Sequence, residues 1–162
     1  MKILIFTEGT IIQHKNAAGL TRDEIIKQVK DNEESVQDFS SYIPIGNATQ
    51  KINTWKNQGV KICYLTSRKK SDEVETIKFV LQKYNFPKGE LYFRKESEEY
   101  KDVALQIMPD ILIEDDCESI GGENEMTITH LNPETRQKIK SIPIKEFGGI
   151  DHLPHKVERL IN

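Results

Sequence analysis

Four short apolar runs, each closed by polar residues, constrain this chain more than any other feature of it. Lys2 to Phe6 (KILIF) and Val60 to Leu65 (VKICYL) are the clearest, followed by Leu91 to Phe93 and Ile111 to Ile113. Weaker strand candidates lie at Met126–Thr129 and Ile142–Ile144. A strand with one wet face alternates apolar and polar residues, whereas a strand covered on both faces is apolar throughout. Continuous runs therefore predict a buried, mainly parallel sheet. Parallel neighbours need long crossovers, usually helical, and helix-length amphipathic stretches do separate the runs.

Those stretches carry start and stop signals. Thr21-x-x-Glu24 is a capping-box pattern ahead of Ile25, Ile26 and Val29. Ala48, Ile52 and Trp55 fall on one helical face, with Gly59 as a stop. Ser71, Asp72 and Glu73 suit the start of a helix bearing Val74, Ile77, Leu81 and Tyr84, before Pro87 and Gly89 break it. Ser97, Glu98 and Glu99 open a fourth, with Tyr100, Val103, Ala104 and Ile107 inward and Pro109 beyond its end. Asn132-Pro133 fits a cap and first position of a short fifth helix, and Asp151 is read as the cap of a last helix through Val157 and Ile161. Strand and helix in alternation predict a Rossmann-like, doubly wound α/β fold with a mainly parallel sheet. We read residues 1–162 as a single domain in which the polar, helical stretch 13–46 is a small insertion over the C-terminal edge of the first strand.

Composition narrows the function classes without choosing one. With 36% hydrophobic and 30% charged residues, the chain is too apolar for disorder and too polar for a membrane protein, and no apolar run reaches the roughly 18 residues of a spanning helix. A net charge of −3 offers no electrostatic footprint for long nucleic acids or anionic membranes. The N-terminus lacks a secretory pattern, and Cys63 and Cys117 form no CxxC pair, so we expect a cytoplasmic protein with reduced thiols.

Ligands of open α/β sheets bind beyond the carboxyl ends of the strands. Thr7-Glu8-Gly9-Thr10 follows the first run, Thr66-Ser67-Arg68 the second, Arg94-Lys95 the third and Glu114-Asp115-Asp116 the fourth. Hard oxygen ligands suit Mg²⁺, while hydroxyls with cations suit phosphate oxygens. One edge of the sheet is thus expected to hold a Mg²⁺ and phosphate site.

In that order, ILIFTEGTI, YLTSR and ILIEDD resemble the haloacid dehalogenase-like (HAD-like) phosphatase superfamily over roughly residues 1–120. The resemblance implies that Thr66 binds phosphate, with Ser67 and Arg68 beside it. It implies that Asp115 and Asp116 bind Mg²⁺, that Lys101 or Lys95 supplies the cation, and that segment 13–46 stands where a small cap would. It implies an aspartate nucleophile followed by an acid/base aspartate at the end of the first strand, and here the chain departs from the pattern. Aligned on Gly9-Thr10, Glu8 takes the acid/base place, where it would also reach the metal, and Phe6 takes the nucleophile's place; a one-residue deletion would put Thr7 there instead. Phenylalanine cannot attack phosphorus, threonine needs a base, and the longer glutamate shifts a carboxylate in a setting where about 1 Å can cost about 100-fold. Two functions follow: a Mg²⁺-dependent phosphomonoesterase with atypical chemistry on a small phosphorylated molecule, using Glu8, Thr7 and Lys101; or a degenerate domain that binds Mg²⁺ and a phosphate ligand or a protein partner without turnover. ILIEDD also resembles the acidic strand of response-regulator receiver domains, but the stretch after Asp116 is too short to complete one.

Other polar residues have plainer readings. Glu114 to Asp116 alone would suit a helix N-terminus, and Glu8-Gly9 a turn. His152 and His155 near Asp151 have metal-like spacing but no third ligand. Cys63, Trp55 and Tyr84 read as core.

Overall fold

Five of the apolar runs pair side by side into one all-parallel sheet in the computed structural model, which describes residues 1–162. In chain order the strands are β1 (Lys2–Phe6), β2 (Ile12–Gln13), β3 (Ile43–Pro44), β4 (Lys61–Leu65), β5 (Glu90–Tyr92), β6 (Ile111–Asp115) and β7 (Lys140–Ile144). The large sheet has the order β5-β4-β1-β6-β7. From β1 the chain builds outward through β4 and β5, then returns to lay β6 against the other side of β1 in the register Ile3↔Ile111. This reversal of strand order opens a crevice at the carboxyl ends of β1, β4 and β6, the place where open α/β sheets bind ligands.

Helices cover both faces, which is why the strand runs are continuous. The helices are α1 (Arg22–Lys30), α2 (Glu34–Gln37), α3 (Ala48–Asn57), α4 (Ser71–Lys83), α5 (Tyr100–Ile107), α6 (Thr127–His130) and α7 (Pro133–Lys138). Ile3 and Ile5 share one face with Ile62, Tyr64 and Ile113, packed under Ile52 and Trp55 of α3 and Ile77 of α4. Leu4 shares the other with Cys63, Leu65 and Leu112, packed under Val103 and Ile107 of α5 and Ile128 of α6. Burying each such side chain contributes about 1.5–3 kcal/mol. No helix is long and apolar enough to cross a membrane.

The local signals were mostly placed where the sequence puts them. Thr21 and Glu24 form the capping box of α1, and Asn132 accepts from Thr135 N ahead of Pro133. Three elements differ. Met126–Thr129, read as a weak strand, instead caps and opens α6, because the buried Glu114 carboxylate accepts from the N–H groups of Thr127 and Ile128 at 2.8 and 3.0 Å and starts a helix there. Segment 13–46 is not wholly helical, since β2 and β3 pair antiparallel at its base. The last helix is only a 3₁₀ turn over Val157–Leu160. Asp151 does not cap it; its carboxylate accepts from Asn47 N at 2.9 Å and so caps α3, while the buried Lys51 ammonium donates to Asp151 O and Leu153 O.

Candidate functional site

Beyond Phe6 the chain leaves β1 through a tight turn. Thr7 N still donates to Leu65 O at 3.0 Å, and Thr7 O then accepts from the N–H groups of Ile11 and Ile12. Gly9 sits in the turn at φ +78°, in the left-handed region that side chains disfavour. A Cβ there would lie 3.0 Å from Asp115 Oδ2 and 3.3 Å from Glu146 Cγ, so only glycine lets β1's turn press against the end of β6.

The turn directs Glu8 toward β4. Its Oε1 accepts from Thr66 Oγ1 at 2.5 Å, and its Oε2 accepts from Thr7 Oγ1 at 2.5 Å and Ser67 N at 3.2 Å. Arg68 Nε lies 3.9 Å from Oε1. Arg68 N donates to Thr66 Oγ1 at 3.1 Å, and its guanidinium lies over the Phe39 ring at 4.4 Å. Glu8, Thr7, Thr66, Ser67 and Arg68 are therefore brought together, as one hydrogen-bonded group around a carboxylate. Thr7 and Thr66 are completely buried within it, and neither lines the neighbouring cavity.

A second group forms at the ends of β6 and β7. Asp115, Asp116 and Glu146 each offer a carboxylate oxygen, and these lie within 4.8 Å of one another. Glu8 is not among them. Thr10 Oγ1 and Cys117 N each donate to Asp115 at 2.9 Å, and Ser119 donates to Glu146 from both N and Oγ. Burial pushes the Asp115 and Glu146 carboxyls above the usual carboxylate range, with neighbouring acids adding to it and these donors opposing it. Burial likewise raises Glu114, which faces α6 rather than this group. Arg22 enters from α1: Nε donates to Glu146 O at 2.8 Å, and Nη2 lies 3.2 Å from both oxygens of Asp116 and pairs with Glu118. The three carboxylates offer hard oxygens of the kind a metal ion takes, with Asp116 paired to Arg22.

Between the two groups and the insertion lies a cavity of about 330 Å³. Glu8, Asp115 and Glu146 line it from the sheet, Val29, Val36 and Tyr42 from segment 13–46. Phe6, at the aligned nucleophile position, presents its ring there and packs edge-on to Tyr100, with centroids 5.0 Å apart.

The cations that line the cavity are Arg68 and Arg94, not lysines. Lys95 is exposed, and Lys101 pairs with Glu99 at 2.7 Å on the outside of α5; neither lines the cavity. Arg94 does. Its guanidinium lies 3.9 Å over the Tyr100 ring, Nη2 donates to Ser67 O at 3.4 Å, and Nε is buried without a partner. Sequence reasoning placed Arg94 at a strand end but gave the role to the lysines beyond it. It missed Glu146 and Arg22 altogether, because neither stands in a motif; an arginine at the first position of α1, where acids are favoured, was the one available signal. His152 and His155 are exposed and apart from the acidic group. Burial, and after it Asp115, push the Cys117 thiol up, away from the thiolate that reactive cysteines need.

A five-stranded parallel sheet with helices on both faces, hydroxyls after β4 and acids after β6, is a Rossmann-like, doubly wound α/β fold. No family model matches the sequence, and no curated protein matches it. Solved structures share its fold. The class C acid phosphatase from Bacillus anthracis with tungstate bound is 13% identical over 91% of this chain and 68% of its own, with a TM-score of 0.56. A chain of the Pnkp1/Rnl/Hen1 complex is 14% identical over 89% of this chain and 46% of its own, also at 0.56. A chain in a structure of the Pnkp1/Rnl/Hen1 RNA repair complex gives 0.54 at 13% identity, with 90% and 43% covered. The present chain thus spans less than half the length of the Pnkp1/Rnl/Hen1 chains that it matches.

Proposed function

We propose that this chain is a HAD-like domain that binds a divalent cation and a small phosphorylated molecule without hydrolysing it. The observation that carries the reading is Phe6: the aligned nucleophile position holds a ring packed on Tyr100, and the adjacent Thr7 is buried with its hydroxyl committed to Glu8. No carboxylate at the end of β1 is free to attack phosphorus, the step that phosphoaspartate chemistry requires. What remains suits binding. Asp115, Asp116 and Glu146 would hold Mg²⁺, which when bound supplies charge neutralisation beside phosphate oxygens. Ser67, Arg68 and Arg94 line the cavity with hydroxyl and guanidinium donors for an oxyanion, and the Thr66 hydroxyl, now donating to Glu8, would join them where that carboxylate gives way.

The test is phosphate release from a panel of small phosphomonoesters in Mg²⁺, beside an Asp115→Asn variant prepared identically. The expected result is no release above that variant, together with Mg²⁺ binding by calorimetry that Asp115→Asn and Glu146→Gln each abolish. Turnover above the variant would make the domain a phosphomonoesterase and would overturn the reading.

A further inference from the structure

The donors of the β4 end are already engaged, and by an anion of the chain's own. Thr66 Oγ1, Thr7 Oγ1 and Ser67 N all donate to the Glu8 carboxylate, with Arg68 Nε at 3.9 Å. Hydroxyl, amide and guanidinium converging on one point is the set of groups that holds a phosphate oxyanion, and carboxylate and phosphate oxygens accept from it in the same way. Both cannot be present: the places are filled, and a second anion would meet like charge at short range. An aspartate at this position would be a methylene shorter and would not reach as far. Glu8 is also only partly buried and lines the cavity, so its side chain has space to leave.

We infer that Glu8 is the resident anion of this cradle and determines what binds there: a phosphate group enters only by exchanging with the Glu8 carboxylate. This rests on the reading that these donors bind phosphate. The wild-type protein therefore binds inorganic phosphate poorly, and shortening or neutralising Glu8 opens the cradle. Ligands that present only a weak acceptor fail to displace the carboxylate.

The experiment is calorimetric titration of inorganic phosphate into the wild type, Glu8→Gln, Glu8→Ala, and Glu8→Ala combined with Thr66→Val, with circular dichroism as a check on folding. Glu8→Ala is expected to bind at least about tenfold more tightly than wild type, equivalent to about 1.4 kcal/mol. Glu8→Gln, which keeps the shape and loses the charge, falls between them, and Thr66→Val removes the gain. Should the alanine variant not fold, tighter binding by Glu8→Gln than by wild type decides the matter. Equal affinity in wild type and variants overturns the exchange and leaves phosphate binding standing. Binding in none of them overturns both.

Discussion

Gly9 shows how much of this site hangs on one residue without a side chain. Its φ of +78° turns the chain out of β1, and its missing Cβ lets the turn lie against Asp115 and Glu146. Alanine at this position meets both penalties. Gly9→Ala is expected to lower unfolding free energy by about 1–3 kcal/mol in urea and to weaken Mg²⁺ binding, because Asp115 must shift. A loss within experimental error would show that the turn relaxes freely. At this scale the turn itself was legible: Phe6 closes the first apolar run, and Thr7 and Glu8 follow it, ahead of Gly9. What Glu8 touches was not legible, because its partners Thr66 and Ser67 lie far along the chain and meet it only through the β1–β4 pairing.

The decisive element is α1. Its capping box and apolar face were readable locally, since both depend on residues three and four apart. Its purpose was not, because Arg22 ties this helix to Asp116, Glu118 and the carbonyl of Glu146, all far ahead in sequence. Partly exposed ion pairs contribute little stability, about 1 kcal/mol or less, so Arg22→Gln should leave the melting temperature almost unchanged. It should instead speed hydrogen exchange in residues 22–37 while β1 and β6 keep their protection, as expected of a locally opening unit. Equal acceleration in the sheet would mean that the arginine supports the whole fold. The same distinction explains the cation. Lys95 and Lys101 follow the third run closely enough to suggest a role, but the helical phase of α5 turns Lys101 outward, whereas the Tyr100 ring and Ser67 O hold Arg94 beside the cavity.

Across the whole molecule, three buried carboxyls, Glu114, Asp115 and Glu146, have values raised first of all by desolvation. A carboxyl whose folded value exceeds its unfolded value leaves the native state holding more protons, so stability falls as pH rises through that interval. The cost is absent below the ordinary carboxylate value near about 4 and grows above it. His14, lowered by burial, opposes this below about pH 6.5, one group against three. The lowered values of the exposed Glu24, Asp38 and Glu98 act below the ordinary carboxylate value, outside this interval. In a chelator the melting temperature should therefore be higher at about pH 5 than at about pH 7.5. Glu146→Gln should narrow the difference, and saturating Mg²⁺ at neutral pH should offset it by binding only the folded state. A melting temperature that rises steadily with pH would contradict this.

The amino-acid sequence by itself determined the elements and their class. Continuous apolar runs say that β1, β4 and β6 are covered on both faces, and helical periodicity with capping residues says what covers them, since both signals are short-range and physical. It also placed Thr66, Asp115 and Asp116 at strand ends, and Phe6, Thr7 and Glu8 at the end of β1. Only the tertiary structure decided which polar groups meet. The acids of β6 acquire Glu146 from beyond β7 and Arg22 from the insertion, and Glu8 settles among the hydroxyl and amide donors of β4. Such contacts join residues that no local pattern links, and they form because the sheet order brings separate strand ends to one edge.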